Sequence, residues 1–323
     1  MIAKHLLLCI TAAIGVAVAS PATAQTWPDK PIKLIVPFPA GGPIDTMARF
    51  VAQPLSARLG QSVIVENRPG SGGTIGARAV ASAEPDGYTL LFGSSGTLAV
   101  APALYASLDY DPQKSFAPVA TAAILPMLLV VRPDLPAKTV AEFVAYAKAN
   151  PGKLNYGASL ATPPHLLSTL FKHQAGIEVV YIPYKGSAPS VTDLLAGATH
   201  WTIDGVTILA PFAKDGRLRP LAVASAARWP ELPQVPTLIE SGFPDFSLDA
   251  WAGVVAPAGT PAAVVGRLNA AINEGLRGAE VKAALGKLGA LPKIGSPAEF
   301  AAFIAAELPK WAATVKLAGA RID

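Results

Sequence analysis

Cysteine is almost missing from this chain: its 323 residues hold one, Cys9. It lies in an apolar N-terminal stretch that reads as a removable leader, so the mature chain is expected to form no disulfide and to offer no thiolate nucleophile or metal ligand. Leu8 before it is bulky where a lipoprotein leader carries a small residue, which argues against a lipid anchor. Histidine is sparse too. Beyond His5 there are only His165, His173 and His200, which do not form a transition-metal pattern. Charged residues make up 15% of the chain, with no run of lysine or arginine and no interleaved aromatics, so the mildly basic balance makes no case for nucleic acid. Long hydrophobic runs are lacking beyond the leader. Ala117 to Val131 comes nearest, but Pro118 and Pro126 break it and Thr121 sits inside it, a pattern of buried strands rather than a membrane span.

What is present begins with that leader. Lys4 and His5 precede an apolar stretch from Leu6 to Ala19, and Ala22-Thr23-Ala24 forms a small-x-small cleavage site before Gln25. Residues 1–24 are therefore expected to be a signal peptide, cleaved after Ala24, and the protein to be exported. Cleavage leaves 25 basic residues against 22 acidic ones, a weak positive balance that helps attract anionic solutes.

The mature length suits two domains, and its segments alternate strand with helix. Ile32 to Val36 reads as a strand. Ile44, Met47, Val51 and Leu55 keep helical spacing up to Leu59, with a kink expected at Pro54. Val63 to Glu66 and Tyr88 to Phe92 read as the next strands around a helix ending near Ala83, an order that predicts a parallel sheet with helices on both faces. A second alternating set opens near Leu135. Its helices start at Thr139 with Glu142, at Thr162-Pro163-Pro164 and at Ser187, and its strands fall at Asn155–Gly157, Val179–Pro183 and Trp201–Asp204. After Phe246 the pattern resumes with a strand from Trp251 to Ala256, a helix capped by Thr260-Pro261, and a last helix opened by Ser296 with Glu299. Packing these late elements back on the first domain predicts an α/β architecture with two interdomain crossings, near Val119–Val131 and Phe246–Val254. The expected domains are 25–125 plus 250–323, and 126–249, hinged over a cleft.

The segment Pro37-Phe38-Pro39-Ala40-Gly41-Gly42-Pro43-Ile44-Asp45 joins the first strand to the first helix. Such a loop turns backbone N–H groups and the positive end of a helix dipole toward the cleft, which suits an anion. Gly41-Gly42 taken alone reads equally as a tight turn.

These residues resemble a known family. Pro37 to Arg49, Glu66-Asn67-Arg68-Pro69-Gly70-Ser71-Gly72-Gly73, Pro85-Asp86-Gly87-Tyr88-Thr89-Leu90, Pro183 to Pro189 with Thr192 to Gly197, and Ala256-Pro257-Ala258-Gly259-Thr260-Pro261 are similar, in order, to Bug-type substrate-binding receptors of tripartite tricarboxylate transporters. The resemblance implies a periplasmic two-domain receptor of the Venus-flytrap kind. Such a receptor catches a small carboxylate between two loops and delivers it to integral-membrane permease subunits, without a cofactor or metal and as a monomer. Matched by position, the first loop is Phe38, Pro39, Ala40, Gly41 and Gly42 with Asp45 behind. The second corresponds to Gly157 to His165, where two glycines usual in the family are missing and the loop is one residue shorter. Fewer permissive φ values should leave fewer N–H donors for the far end of a ligand, which argues against a di- or tricarboxylate preference.

Asp45 sits in the first helical turn and four residues before Arg49, so it is expected to fix its loop, and would repel an anion unless the ligand also carried an amine. Ser94 and Ser95 follow a strand to the same edge as the first loop and are candidate contacts. Ser159 is a candidate ligand hydroxyl and Thr162 both a helix cap and a contact. Asp204 ends a strand facing the cleft, as contact or as brace. His165 is expected to pack rather than bind.

Two enzymes and a sensor compete with this reading. Gly157-Ala158-Ser159-Leu160-Ala161 nearly spells a hydrolase nucleophile elbow around Ser159, but the final glycine is absent and no histidine follows Asp204. Asp193 with His200 is the only available pairing. Gly70-Ser71-Gly72-Gly73-Thr74-Ile75-Gly76 misses the dinucleotide fingerprint, because Ile75 stands where its third glycine belongs. A sensory receptor that feeds no transporter is equally compatible with the sequence.

Overall fold

The computed structural model describes residues 27–244, 246 and 248–322. The expected leader and its cleavage site lie outside the described residues. Strand β1 (Ile32–Val36) leads into helix α1 (Pro43–Leu59), followed by β2 (Val63–Asn67), α2 (Thr74–Ala81) and β3 (Thr89–Ser94). A π-helical turn, Gly96–Val100, runs into the short α3 (Ala101–Leu104) and then the long β4 (Phe116–Leu125). The middle of the chain forms β5 (Met127–Val131), α4 (Val140–Ala149), β6 (Asn155–Ser159), α5 (Pro163–Ala175), β7 (Val180–Tyr184), α6 (Ser187–Ala196), β8 (Trp201–Gly205), α7 (Val206–Lys214) and β9 (Arg219–Val223). The chain closes with β10 (Ala250–Pro257), α8 (Ala262–Arg277), α9 (Ala279–Lys287), β11 (Leu291–Pro292) and α10 (Pro297–Leu317).

The strands form two sheets, ordered β11-β4-β10-β3-β1-β2 and β7-β6-β8-β5-β9. The chain passes from the first to the second at Pro126, between β4 and β5, and returns before β10. These are the two crossings expected of the flytrap architecture. Neither sheet is wholly parallel, which corrects the sequence reading. β1 pairs in parallel with β2 and β3, but β10 runs antiparallel to both β3 and β4. In the second sheet β6 is parallel to β7 and β8, while β5 is antiparallel to β8 and β9. The strands that carry the crossings are inserted inside the sheets, β10 between β3 and β4 and β5 between β8 and β9, and their reversed direction is invisible to a local βαβ pattern. The second set also opens earlier than Leu135, at Met127.

Local chemistry explains the elements. Pro43 occupies the first turn of α1, where its missing N–H costs nothing. Met47, Val51, Leu55 and Leu59 bury one stripe, and Gly60 closes the helix at φ +69°. The helix runs unbroken through Pro54, whose ring lies against Gly275 of α8. Ser296 and Glu299 form the reciprocal cap at the start of α10. Thr260 does not cap α8: its hydroxyl donates to the Pro257 carbonyl, 2.8 Å away, and Pro261 stands at the cap position.

One apolar cluster ties the sheets together. It runs from Leu91 and Trp251 through Phe300 and Trp311 of α10 to Leu129, Phe171 and Trp201 of the second sheet. Among the described residues, no helix is long and apolar enough to cross a membrane.

Candidate functional site

Three chain turns leave the carboxyl ends of parallel strands toward the junction of the sheets: the loop after β1, the turn after β3 and the loop after β6. In the first, the carboxylate of Asp45 is buried and fully engaged. It accepts the Gly41 N–H at 2.8 Å, both Nε and Nη2 of Arg49 at 3.0 Å, and Nδ2 of Asn67 at 2.9 Å. Asn67 Nδ2 also donates to the Phe38 carbonyl. Burial pushes the Asp45 carboxyl upward, but the hydrogen bonds from Arg49, Gly41 and Asn67 outweigh it and hold the group at about 2. Asp45 is thus a permanent anion that anchors the loop. Gly41, at φ +80°, is the residue that lets the loop turn its N–H onto it.

After β3, Ser95 is the cap position of the π-helical turn. The Thr97 hydroxyl accepts the Ser94 N–H and donates to the Ser94 carbonyl, which ties the turn to the strand end. The Ser95 hydroxyl accepts the Trp251 N–H at 3.4 Å, linking the turn to the returning strand β10. A π-turn at such a place is a common mark of a functional site.

After β6, Thr162 occupies the cap position of α5, but its side chain does not cap. The next two residues are Pro163 and Pro164, which have no N–H to give, so the hydroxyl turns back and donates to the Ser159 carbonyl at 2.6 Å. His165, buried against Tyr181 with ring centroids 4.4 Å apart, accepts the Ala161 N–H on Nδ1 at 3.3 Å. Burial lowers its pKa, so it stays neutral and acts as a packing group.

A cavity of about 390 Å³ opens where these turns meet. Phe38 and Ile44 flank it from the first loop, Ser94, Ser95 and Gly96 from the second turn, and Leu160 to Pro163 from the third. Leu125 and Trp251 at the two crossings and Leu104, Tyr105 and Ile322 complete the wall. It lies between the two sheets, its volume suits a small ligand, and no charged side chain is among its lining residues. The N-termini of α1 and α5 face it, and their dipoles favour an anion there.

Of the residues singled out in the sequence, Phe38, Ser94, Ser95 and Thr162 line this cavity. Pro39, Ala40 and Gly41 are exposed beyond Phe38, Gly42 is partly buried beside them, and Asp45 stands behind the loop. Ser159 lies one residue short of the lining. Asp204, at the end of β8, is buried. Its Oδ1 accepts the Gly205 N–H and its Oδ2 has no hydrogen bond. Burial pushes this carboxyl up to about 6, against the opposing pull of the Ser187 hydroxyl and the Gly205 N–H. Sequence reasoning missed Asn67, Leu104, Tyr105, Trp251 and Ile322. Asn67 sat in a quoted motif and was legible as a loop clamp. The others come from distant segments and share no local pattern.

Among the described residues no serine-histidine relay is assembled and no imidazole bonds Ser159. His165 is turned to Ala161, Nδ1 of His200 lies 2.7 Å from Asn155 Oδ1, and Asp193 accepts the Tyr184 hydroxyl at 2.6 Å. Among the described residues no three metal-ligating side chains cluster.

Two α/β lobes joined by two crossings, with a cavity between the carboxyl ends of their strands, define a solute-binding protein of the flytrap type. The chain belongs to the tripartite tricarboxylate transporter family receptor family, whose model matches residues 47–319. It is 40% identical to the protein BugT of Bordetella pertussis over 307 residues, 94% of either chain. An R. palustris protein solved with adipate is 40% identical, with a TM-score of 0.77 over 92% of this chain and all of that one. The periplasmic binding protein BugD is 36% identical, with a TM-score of 0.74 over 91% of this chain and 99% of its own.

Proposed function

We propose that this chain is a periplasmic receptor that captures a small carboxylate in the cleft between its two lobes and delivers it to the permease subunits of a tripartite transporter, without catalysing a reaction. The observation that carries this reading is the cavity itself. It is walled from both sheets, it carries no charged side chain among the described residues, and the turns after β1, β3 and β6 open onto it with helix N-termini. The lobes are taken as residues 25–125 with 250–323, and 126–249, and the receptor works as an exported monomer. Phe38, Pro39, Ala40, Gly41 and Gly42 with Ser94 and Ser95 form the near wall, and Ser159 and Thr162 the far one. Asp45 and Asp204 act as braces rather than as contacts.

A thermal-shift screen of the purified mature chain against mono-, di- and tricarboxylates, aromatic acids and amino acids tests this. A true ligand at about a hundredfold its Kd adds roughly 2.7 kcal/mol and raises the Tm by a few degrees. Silence across all acids, or ester hydrolysis lost in Ser159→Ala, would contradict the reading.

A further inference from the structure

We infer that the ligand of this cleft carries a single carboxylate on an apolar body, an inference that rests on the receptor reading above. The two sides of the cavity differ in what they can offer an anion. In the first loop, Pro37, Pro39 and Pro43 have no N–H, that of Gly41 is held by Asp45 and that of Gly42 closes the turn at 40–41 toward the Pro39 carbonyl, but those of Phe38, Ala40 and Ile44 have no partner among the described residues. The third loop is nearly empty of donors. Pro163 and Pro164 have none, the Ala161 N–H goes to His165 and the Thr162 N–H to the Ser159 carbonyl. Only the N–H groups of Leu160 and His165 remain.

What the far side offers instead is apolar surface. Leu160 is 62% exposed, the most exposed of the large hydrophobic side chains among the described residues, and it lines the cavity. From the first lobe Ile322, also an exposed hydrophobic, lines it as well, beside Leu104, Tyr105 and Leu125. Covering such surface with hydrocarbon is favourable in proportion to its area. A second carboxylate placed against it would lose its water and gain, among the described residues, no cation and little beyond two N–H groups and the Tyr105 hydroxyl, which is costly. Ala161 holds φ +61°, a conformation that favours glycine, so the loop keeps its turn shape while carrying a side chain there. The site is therefore polar at one end and greasy at the other.

Calorimetric titration of the purified mature chain with acids matched in body and differing in one carboxylate tests this: hexanoate against adipate, and benzoate against terephthalate. The expected result is that a monoacid binds at least tenfold tighter than its diacid partner. Equal or tighter binding of the diacid overturns the ligand class while leaving the receptor reading intact. No binding by any of the four, with citrate, malate and amino acids silent as well, overturns both. Leu160→Arg supplies a cation at the far end on an exposed position that the fold does not need. It should shift the diacid-to-monoacid ratio at least tenfold toward the diacid, with the Tm of the free protein unchanged. An unaltered ratio in Leu160→Arg would place the ligand's far end elsewhere and overturn the inference.

Discussion

Asp45 and the two glycines before it divide the work of one loop in a way that single substitutions can separate. Gly41 needs φ +80°, whereas Gly42 has φ −76°, and a Cβ there would meet nothing closer than the Pro39 carbonyl at 3.5 Å. Gly41→Val should therefore cost about 1–2 kcal/mol of folding stability. Gly42→Val should leave the Tm within a degree while weakening acid binding tenfold or more, because the added side chain crowds the free N–H groups. Paired melting and titration of the two variants checks this. Asp45 gives a pH signature. Its folded pKa of about 2 lies below its unfolded value, so its contribution is complete above about pH 4 and disappears as pH falls through 2. Asp45→Asn should lower stability at pH 6 but lose less on further acidification than the parent, as followed by chemical denaturation at pH 6, 4 and 3. At this scale the sequence was most readable where a residue's partner is a near neighbour. Asp45 with Arg49, and Ser296 with Glu299, lie four and three residues apart and bond as their spacing implies. Thr162 misled, because Pro164 takes away one of the two N–H donors a cap could accept and the hydroxyl donates to the Ser159 carbonyl instead, a choice visible only once the turn is folded.

At the level of elements, the turn from β6 into α5 holds one of the two non-glycine residues with positive φ among the described residues. Ala161 in the left-handed region is strained, and Ala161→Gly should relieve roughly 1 kcal/mol, raising the Tm by about 2 °C. A fall in Tm would mean that the methyl group packs for more than its backbone costs. Helices and strands themselves were legible to within a few residues, because α1, α5 and α6 carry their stop signals as Gly60, Gly176 and Gly197, all left-handed. Strand direction was not. The alternation of β4, β10, β5 and β9 depends on which sheet edge the chain returns to, and no local period encodes that. The lining from Leu104, Tyr105 and Ile322 was hidden for the same reason. Tyr105 and Ile322 meet in an isolated bridge between segments far apart in sequence.

For the whole molecule, the crossings are the features that turn two sheets into a receptor, and the groups around them are titratable. Asp249, just before β10, bonds Ser225 beside a small cavity that Lys293, Glu307 and Lys310 also line. Burial pushes its carboxyl up to about 7, helped by Glu307 and opposed by the Ser225 hydroxyl and the two lysines. A carboxyl raised on folding contributes stability that is fully present below about pH 4 and is lost as pH rises through 7. Asp249→Asn should therefore gain on the parent as pH rises from 4 to 8, by roughly 1–2 kcal/mol once water access at the cavity is allowed for. A difference in Tm that stays flat with pH would show that Asp249 is ionised throughout. The two-lobed architecture was legible in the order of motifs along the chain, since Pro126 marks where one buried run divides into β4 and β5, whereas Pro118 lies within β4. The apolar character of the cleft was legible only in part, through the glycines missing between Gly157 and His165.

The central claim is that an acid binds between the lobes with its carboxylate on the backbone of the turns after β1 and β3. Amide hydrogen exchange of the mature chain, with and without the tightest-binding acid, reads this directly. The account expects added protection at residues 38–44 and 94–97, with weaker protection at 160–165 from closure. Protection confined to other surfaces, or an exchange pattern unchanged by a saturating acid, would contradict it.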